Sequence, residues 1–176
     1  MKTRSGSTRI GRLWAGWRRA YVSNERKKSL SGSESIFEDL FLSDDPDSKR
    51  YVLWEGDHCA AILNLYPYVS GHVLILPKRA VPSLQQLTAE ESNELWELTN
   101  LAVTAITEAY KPHGINVGVN IGKAAGASIP EHLHMHCLPR WEGDTTFLTT
   151  LAETRMIPET LSSSYERLKK HWPLRD

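Results

Sequence analysis

Cysteine is nearly absent: 176 residues contain two, Cys59 and Cys137, with no Cys-x-x-Cys pair. That spacing supports neither a disulfide framework nor a zinc ribbon and points to a reducing, cytoplasmic setting. No apolar run approaches the roughly 20 residues of a membrane span, and the basic N-terminus lacks the apolar centre of a secretory signal. Neither a membrane partner nor secretion is expected. Net charge is also missing, with 21 Lys and Arg against 21 Asp and Glu, so the overall balance asks for no nucleic acid or anionic surface. What remains is 40% apolar and 24% charged, ordinary for one soluble domain that can bury a core.

Charge is polarised locally instead. Nine of the first 28 residues are Lys or Arg, against one acid, Glu25. Residues 1–33 read as a basic arm, partly docked through Leu13, Trp14, Trp17 and Tyr21, ahead of a domain over 34–176; a targeting peptide and an anion-touching arm are the competing readings. Along the domain, residues 35–42 suggest a short helical turn and 43–47 a loop. Residues 51–54, 58–65 and 72–77 read as strands of an antiparallel meander. Thr88 followed by Glu91 is a capping box, and Leu95, Leu98, Leu101, Ala102, Ala105 and Ile106 keep helical spacing up to Tyr110. Residues 114–121 return to strand character, 122–130 form a small-residue loop, and 159–172 suggest a terminal helix. Strands not strictly alternating with helices predict an α+β fold: a mainly antiparallel sheet of about five strands, one long helix and a C-terminal helix.

The most informative segment is His132-Leu-His-Met-His-Cys-Leu138. In a strand, His132, His134 and His136 would share one face while Leu133, Met135 and Cys137 pack on the other. A lone histidine, as at His58, His113 or His171, is usually a structural side chain, but three in register suggest chemistry. A zinc site through these imidazoles lacks a further ligand at a signalled spacing, so no metal is assigned. The alternative is an imidazole nucleophile that attacks phosphorus and is later displaced by a second acceptor. Phosphate must then be held nearby, and residues 122–128 could offer backbone N–H groups, including those of Gly126 and Ala127, with the Ser128 hydroxyl.

The His-φ-His-φ-His-φ-φ pattern resembles the signature of the histidine triad (HIT) family of nucleotide hydrolases and transferases. Asn64-Leu-Tyr-Pro-Tyr68, Gly71-His-Val-Leu-Ile-Leu-Pro-Lys78, Asn116-Val-Gly-Val-Asn-Ile-Gly122 and Pro139-Arg-Trp141 are similar to that family's other segments in the same order. Segments around 13–18 and 153–159 are similar to a bacterial branch containing diadenosine-tetraphosphate phosphorylases. The resemblance implies a HIT-like fold and makes His134 the nucleophile toward an α-phosphorus. It implies that His132 and His136 orient it and bind phosphate oxygens, with His72 extending the network. It also implies ribose contact by Asn64, phosphate contacts by Asn120 and Ser128, and a site-lining role for Trp141. Three departures stand out. The Cys-x-x-Cys of many bacterial relatives corresponds to Ser35-Ile-Phe-Glu38, so their zinc site is not expected. Ala127 replaces a frequent Gly before the matched Ser, and Gly16 a frequent Pro.

The expected activity is cleavage of a dinucleoside polyphosphate such as diadenosine tetraphosphate through a nucleotidyl-His134 intermediate. Phosphate as acceptor makes a phosphorylase and water a hydrolase; a nucleoside phosphoramidate is an alternative substrate. A nucleotide-sensing module and a zinc protein are readings of other classes. No cofactor is required, although Mg²⁺ could arrive with the polyphosphate. The resemblance further implies a homodimer or larger homo-oligomer.

Overall fold

The computed structural model describes residues 35–145 and 157–173; the basic arm over 1–33, with its proposed docking residues, and the segment from 153 to 156 lie outside them. Helix α1 is Ile36–Phe41 and α2 is Asp47–Arg50. Strands β1 (Val52–Glu55), β2 (Cys59–Leu63) and β3 (Val73–Pro77) form the meander, and α3 (Ala89–Tyr110) follows. Then come β4 (Gly114–Val119), β5 (Met135–Arg140) and α4 (Leu161–His171). The five strands make one antiparallel sheet in the order β1-β2-β3-β5-β4. The α+β expectation is thus met, long helix and terminal helix included.

Strand alternation divides the core between the two faces of this sheet. Leu53, Ala61, Leu63, Val73, Ile75, Met135 and Cys137 pack with Leu95, Leu98, Ala102 and Ile106 of α3 and Leu168 of α4. The opposite face carries Val52, Ile62, Leu74 and Leu76, closed by Phe37 of α1 and by Ile129. Leu74 pairs with His136 across β3 and β5, so His136 projects to this second face, away from α3. Among the described residues this second face is covered by the short helix α1 and Ile129, whereas the first is covered by α3 and α4.

The predicted capping box of α3 is formed: Thr88 Oγ1 accepts from the Glu91 N–H while the Glu91 carboxylate accepts from the Thr88 N–H. Two expectations need correction. The 43–47 loop ends in a helical turn, since Pro46 sets an extended N-cap and α2 begins at Asp47. The histidine strand is shorter than its alternation suggested, because β5 begins only at Met135. His132 closes a turn on the Ile129 carbonyl, and the Leu133 N–H is taken by Val81. The alternating pattern therefore marks burial over 132–137, while ladder pairing is confined to its second half.

Candidate active site

One glycine turn and one crossing bring the imidazoles together. Gly71, at φ +75°, turns the chain into β3 and delivers His72 at the strand's start; a Cβ there would lie 2.6 Å from the Tyr110 ring. Residues 131–134 run from the 122–130 loop into β5 and carry His132 and His134. His72 and His132 are wholly buried, and His134 and His136 are 4% and 8% exposed. The rings of His134 and His136 are 5.0 Å apart, and Phe37 meets His132 and His134 edge-on at 5.2 and 5.5 Å.

Hydrogen bonds fix the protonation of each ring. The Pro77 carbonyl can only accept, so His132 donates to it from Nε2 at 2.7 Å, and His132 Nδ1 accepts from the Ser35 hydroxyl. By the same logic His134 donates from Nδ1 to the His132 carbonyl at 2.7 Å, which leaves its Nε2 with a free lone pair. A second chain begins at two donors, Asn64 Nδ2 and the Tyr68 N–H, both 3.2 Å from His72 Nδ1. The Asn64 amide is oriented by its Oδ1, which accepts from the Tyr66 N–H. With Nδ1 an acceptor, neutral His72 donates from Nε2 to His136 Nδ1 at 2.9 Å. His136 must then carry its proton on Nε2, a buried atom with no partner among the described residues. An unpaired buried donor costs about 1–3 kcal/mol, a cost that an incoming acceptor oxygen would remove.

Burial keeps this cluster uncharged. Desolvation, with the neighbouring imidazoles His136 and His134 second, pushes His72 down from 6.5 to about 2. Burial and His134 lower His136 to about 4. His132 and His134 are also lowered, chiefly by burial, against which their hydrogen bonds to the carbonyls of Pro77 and His132 work.

A cavity of about 120 Å³ opens beside the cluster, with His134, His136, Ser128 and Asn64 on one side and Ile36, Phe37 and Leu40 of α1 on another. Of the expected site residues, His132 and His72 stand behind this wall as supports. Asn120 and Gly126 lie together at the loop base, where a Gly126 Cβ would be 3.9 Å from Asn120 Nδ2, but neither lines the cavity. Trp141 is half-buried edge-on to Tyr110, 6.3 Å between centroids, and also stands away from the cavity. The amides expected to face phosphate are turned inward: the N–H groups of Ala125 and Ala127 donate to the Gly122 carbonyl and that of Gly126 to Lys123. Ser128 alone of that loop's expected contacts reaches the cavity.

Sequence reasoning passed over Ser35, Phe37 and Tyr68 as neighbours of the imidazoles. Ser35 had a local signal, an N-cap serine before an apolar turn, and it does accept from the Phe37 N–H. Tyr68, whose ring stacks near His136 at 5.9 Å, ends the Asn64–Tyr68 segment that carries the family resemblance, and that segment was its signal. Among the described residues no group of three or more His, Cys, Asp or Glu side chains is arranged to hold a metal ion.

An antiparallel sheet presenting a hydrogen-bonded imidazole cluster beneath a short helix defines a class of imidazole-bearing α+β proteins. The HIT domain family model matches residues 45–143, and the chain belongs to that family. An AP-4-A phosphorylase of Mycobacterium tuberculosis is 38% identical over 168 residues, 93% of this chain and 85% of the relative. An asymmetrical bis(5'-nucleosyl)-tetraphosphatase of Schizosaccharomyces pombe is 38% identical over 60% of this chain and 57% of its own length. Among solved structures, a zinc-bound histidine triad family protein of Mycobacterium smegmatis superposes with TM-score 0.64 at 25% identity, covering 79% of this chain and 93% of that one. A histidine triad nucleotide-binding protein from Sulfolobus tokodaii gives 0.60 at 31%, with coverage of 77% and 87%.

Proposed function

We propose that the protein is a nucleotidyltransferase that cleaves a dinucleoside polyphosphate, diadenosine tetraphosphate first among the candidates, with phosphate as acceptor. The observation that carries the reading is the paired orientation of two imidazoles: His134 presents a free Nε2 lone pair and adjacent His136 an unpartnered Nε2–H. The lone pair attacks the α-phosphorus, a phosphorus–nitrogen bond forms, and the bond to the bridging oxygen breaks, releasing ATP. The His136 donor takes up charge growing on a non-bridging oxygen, and the His132 carbonyl, holding the His134 Nδ1–H, stabilises the imidazolium character that develops. Inorganic phosphate then displaces His134 and gives ADP. Asn64 and Ser128, which line the cavity, are assigned to ribose and phosphate contact, and Mg²⁺ enters only with the polyphosphate.

Phosphate is favoured over water because the relative named a phosphorylase aligns with 93% of this chain, whereas the tetraphosphatase aligns with 60%. Product analysis with and without inorganic phosphate tests the choice: ADP plus ATP, dependent on phosphate, is expected. AMP plus ATP without phosphate makes the enzyme a hydrolase. His134→Asn is expected to lower turnover by at least about 10³-fold while nucleotide still binds; turnover surviving that substitution removes His134 from the mechanism.

We further propose a homodimer joined along β4. This strand is an edge of the sheet, none of its six residues from Gly114 to Val119 is buried, and Val117 is 41% exposed.

A further inference from the structure

Ser35 lies outside the residues matched by the family model, yet it is 5% exposed and touches the imidazole cluster across 97 positions of sequence. Its hydroxyl has two engagements among the described residues. It accepts from the Phe37 N–H as the N-cap of α1, and it donates to His132 Nδ1, since His132 Nε2–H is committed to the Pro77 carbonyl. A hydroxyl can serve both bonds at once, having one proton and two lone pairs. His132 thus has no nitrogen left for a substrate. Its ring is a strut, clamped at one end by Ser35 and at the other by the end of β3. What His132 offers the reaction is its backbone carbonyl, 2.7 Å from His134 Nδ1.

We propose that Ser35 is a positioning residue for the His134 nucleophile: by clamping the His132 ring it fixes the carbonyl that holds His134 in its Nδ1–H form. This rests on the adenylyl-His134 reading above. The same contact ties the cavity wall to the nucleophile, because α1 starts at the next residue and contributes Ile36, Phe37 and Leu40 to the cavity. Glu38 Oε1 secures the far side of that turn by accepting from the Ala80 N–H at 2.6 Å. Without the Ser35 donor, His132 Nδ1 becomes a buried acceptor with no proton to accept. The ring then gains by turning or by changing tautomer, and the residue 132 carbonyl moves with it.

Two variants separate this role from simple capping. Gly at an N-cap is only a few tenths of a kcal/mol poorer than Ser, so Ser35→Gly largely keeps α1 while deleting the donor, and Ser35→Thr keeps both functions. With diadenosine tetraphosphate and phosphate, Ser35→Gly is expected to lose roughly tenfold in kcat with KM within about twofold, and Ser35→Thr to recover most of the loss. Long-range ¹H–¹⁵N spectra should show His132 as the Nε2–H and His134 as the Nδ1–H form in the unaltered protein, with a mixed His134 population in Ser35→Gly. A wild-type spectrum with His132 protonated on Nδ1 overturns the proposal, whether or not the glycine variant folds. So does a loss confined to KM, or a kcat loss with the His134 nitrogens unmoved, either of which leaves Ser35 as a helix cap. The His134→Asn result is read separately: retained turnover there sinks the nucleophile assignment, while the tautomer spectra still report on the clamp.

Discussion

Every imidazole of the cluster is held below its ordinary pKa, and this sets how both activity and stability respond to acid. The His134 lone pair is needed for attack, and burial keeps it unprotonated to lower pH than a free imidazole. The acid limb of kcat/KM for turnover is therefore expected below pH 6.5, and a limb at or above 6.5 contradicts a buried neutral nucleophile. Stability follows the same groups. In the unfolded chain these histidines bind protons near pH 6.5, whereas folded His136 and His72 wait until about 4 and about 2. Between those values the unfolded state holds more protons, so stability falls as pH drops from 6.5 toward 4, by up to about 1.4 kcal/mol per pH unit for each such group. Urea melts at pH 7.5, 6 and 5 measure the slope, and His136→Asn should flatten it. Asn64→Asp tests the donor chain at its origin. A carboxylate beside His72 Nδ1 favours the proton there, reverses the bond to His136 and removes the unpartnered Nε2–H of His136; a roughly tenfold or greater loss in kcat/KM is expected from steady-state assays.

At the level of elements, the long helix and the central strands were legible because each rests on local patterning: the Thr88–Glu91 box, the 3.6-residue spacing after it, and the short continuous apolar runs of 59–63 and 73–77, buried along their whole length. The crossing at 131–134 was not, since its alternation comes from burial on both sides and its bonds go to Val81, Pro77 and Ser35, partners distant in sequence. The same holds for the site. Histidine spacing announced His132, His134 and His136, but the division of labour among them depends on which carbonyl or hydroxyl each ring meets. The small-residue loop looked like a phosphate cradle, yet its amides close their own turn. Turn geometry also decides the β1–β2 connection, where the Glu94 carboxylate of α3 accepts from the N–H groups of Asp57, His58 and Cys59 at 3.0, 2.6 and 3.2 Å. Glu94 is 7% exposed, so Glu94→Ala strands amides that had a charged partner. A loss of about 2–4 kcal/mol in urea unfolding is expected, with KM unaltered because Glu94 does not line the cavity.

On the scale of the whole molecule, the two sheet edges are β1 and β4, and they are protected differently. Beside β1 stand α2 and α4, with the Lys169 ammonium donating to the Leu53 carbonyl. Strand β4 reads Gly-Ile-Asn-Val-Gly-Val; it has no lysine, proline or bulge among its six residues to discourage a second strand. Its register with β5 is unbroken over all six pairs, from Gly114 opposite Arg140 to Val119 opposite Met135. One side of such a strand is satisfied and the other offers a regular row of donors and acceptors, which a second copy could pair in antiparallel fashion about a two-fold axis. Trp96 of α3, 57% exposed, is a further apolar residue left uncovered in the single chain. The proposed dimer is expected to appear as twice 19.9 kDa by light scattering at micromolar concentration. Val117→Lys places a charge on the strand without removing a bond to β5, and should shift the mass toward the monomer while leaving the sheet intact by circular dichroism. If wild type runs as a monomer across that range, or if Val117→Lys leaves a dimer unweakened, the shared edge is not β4.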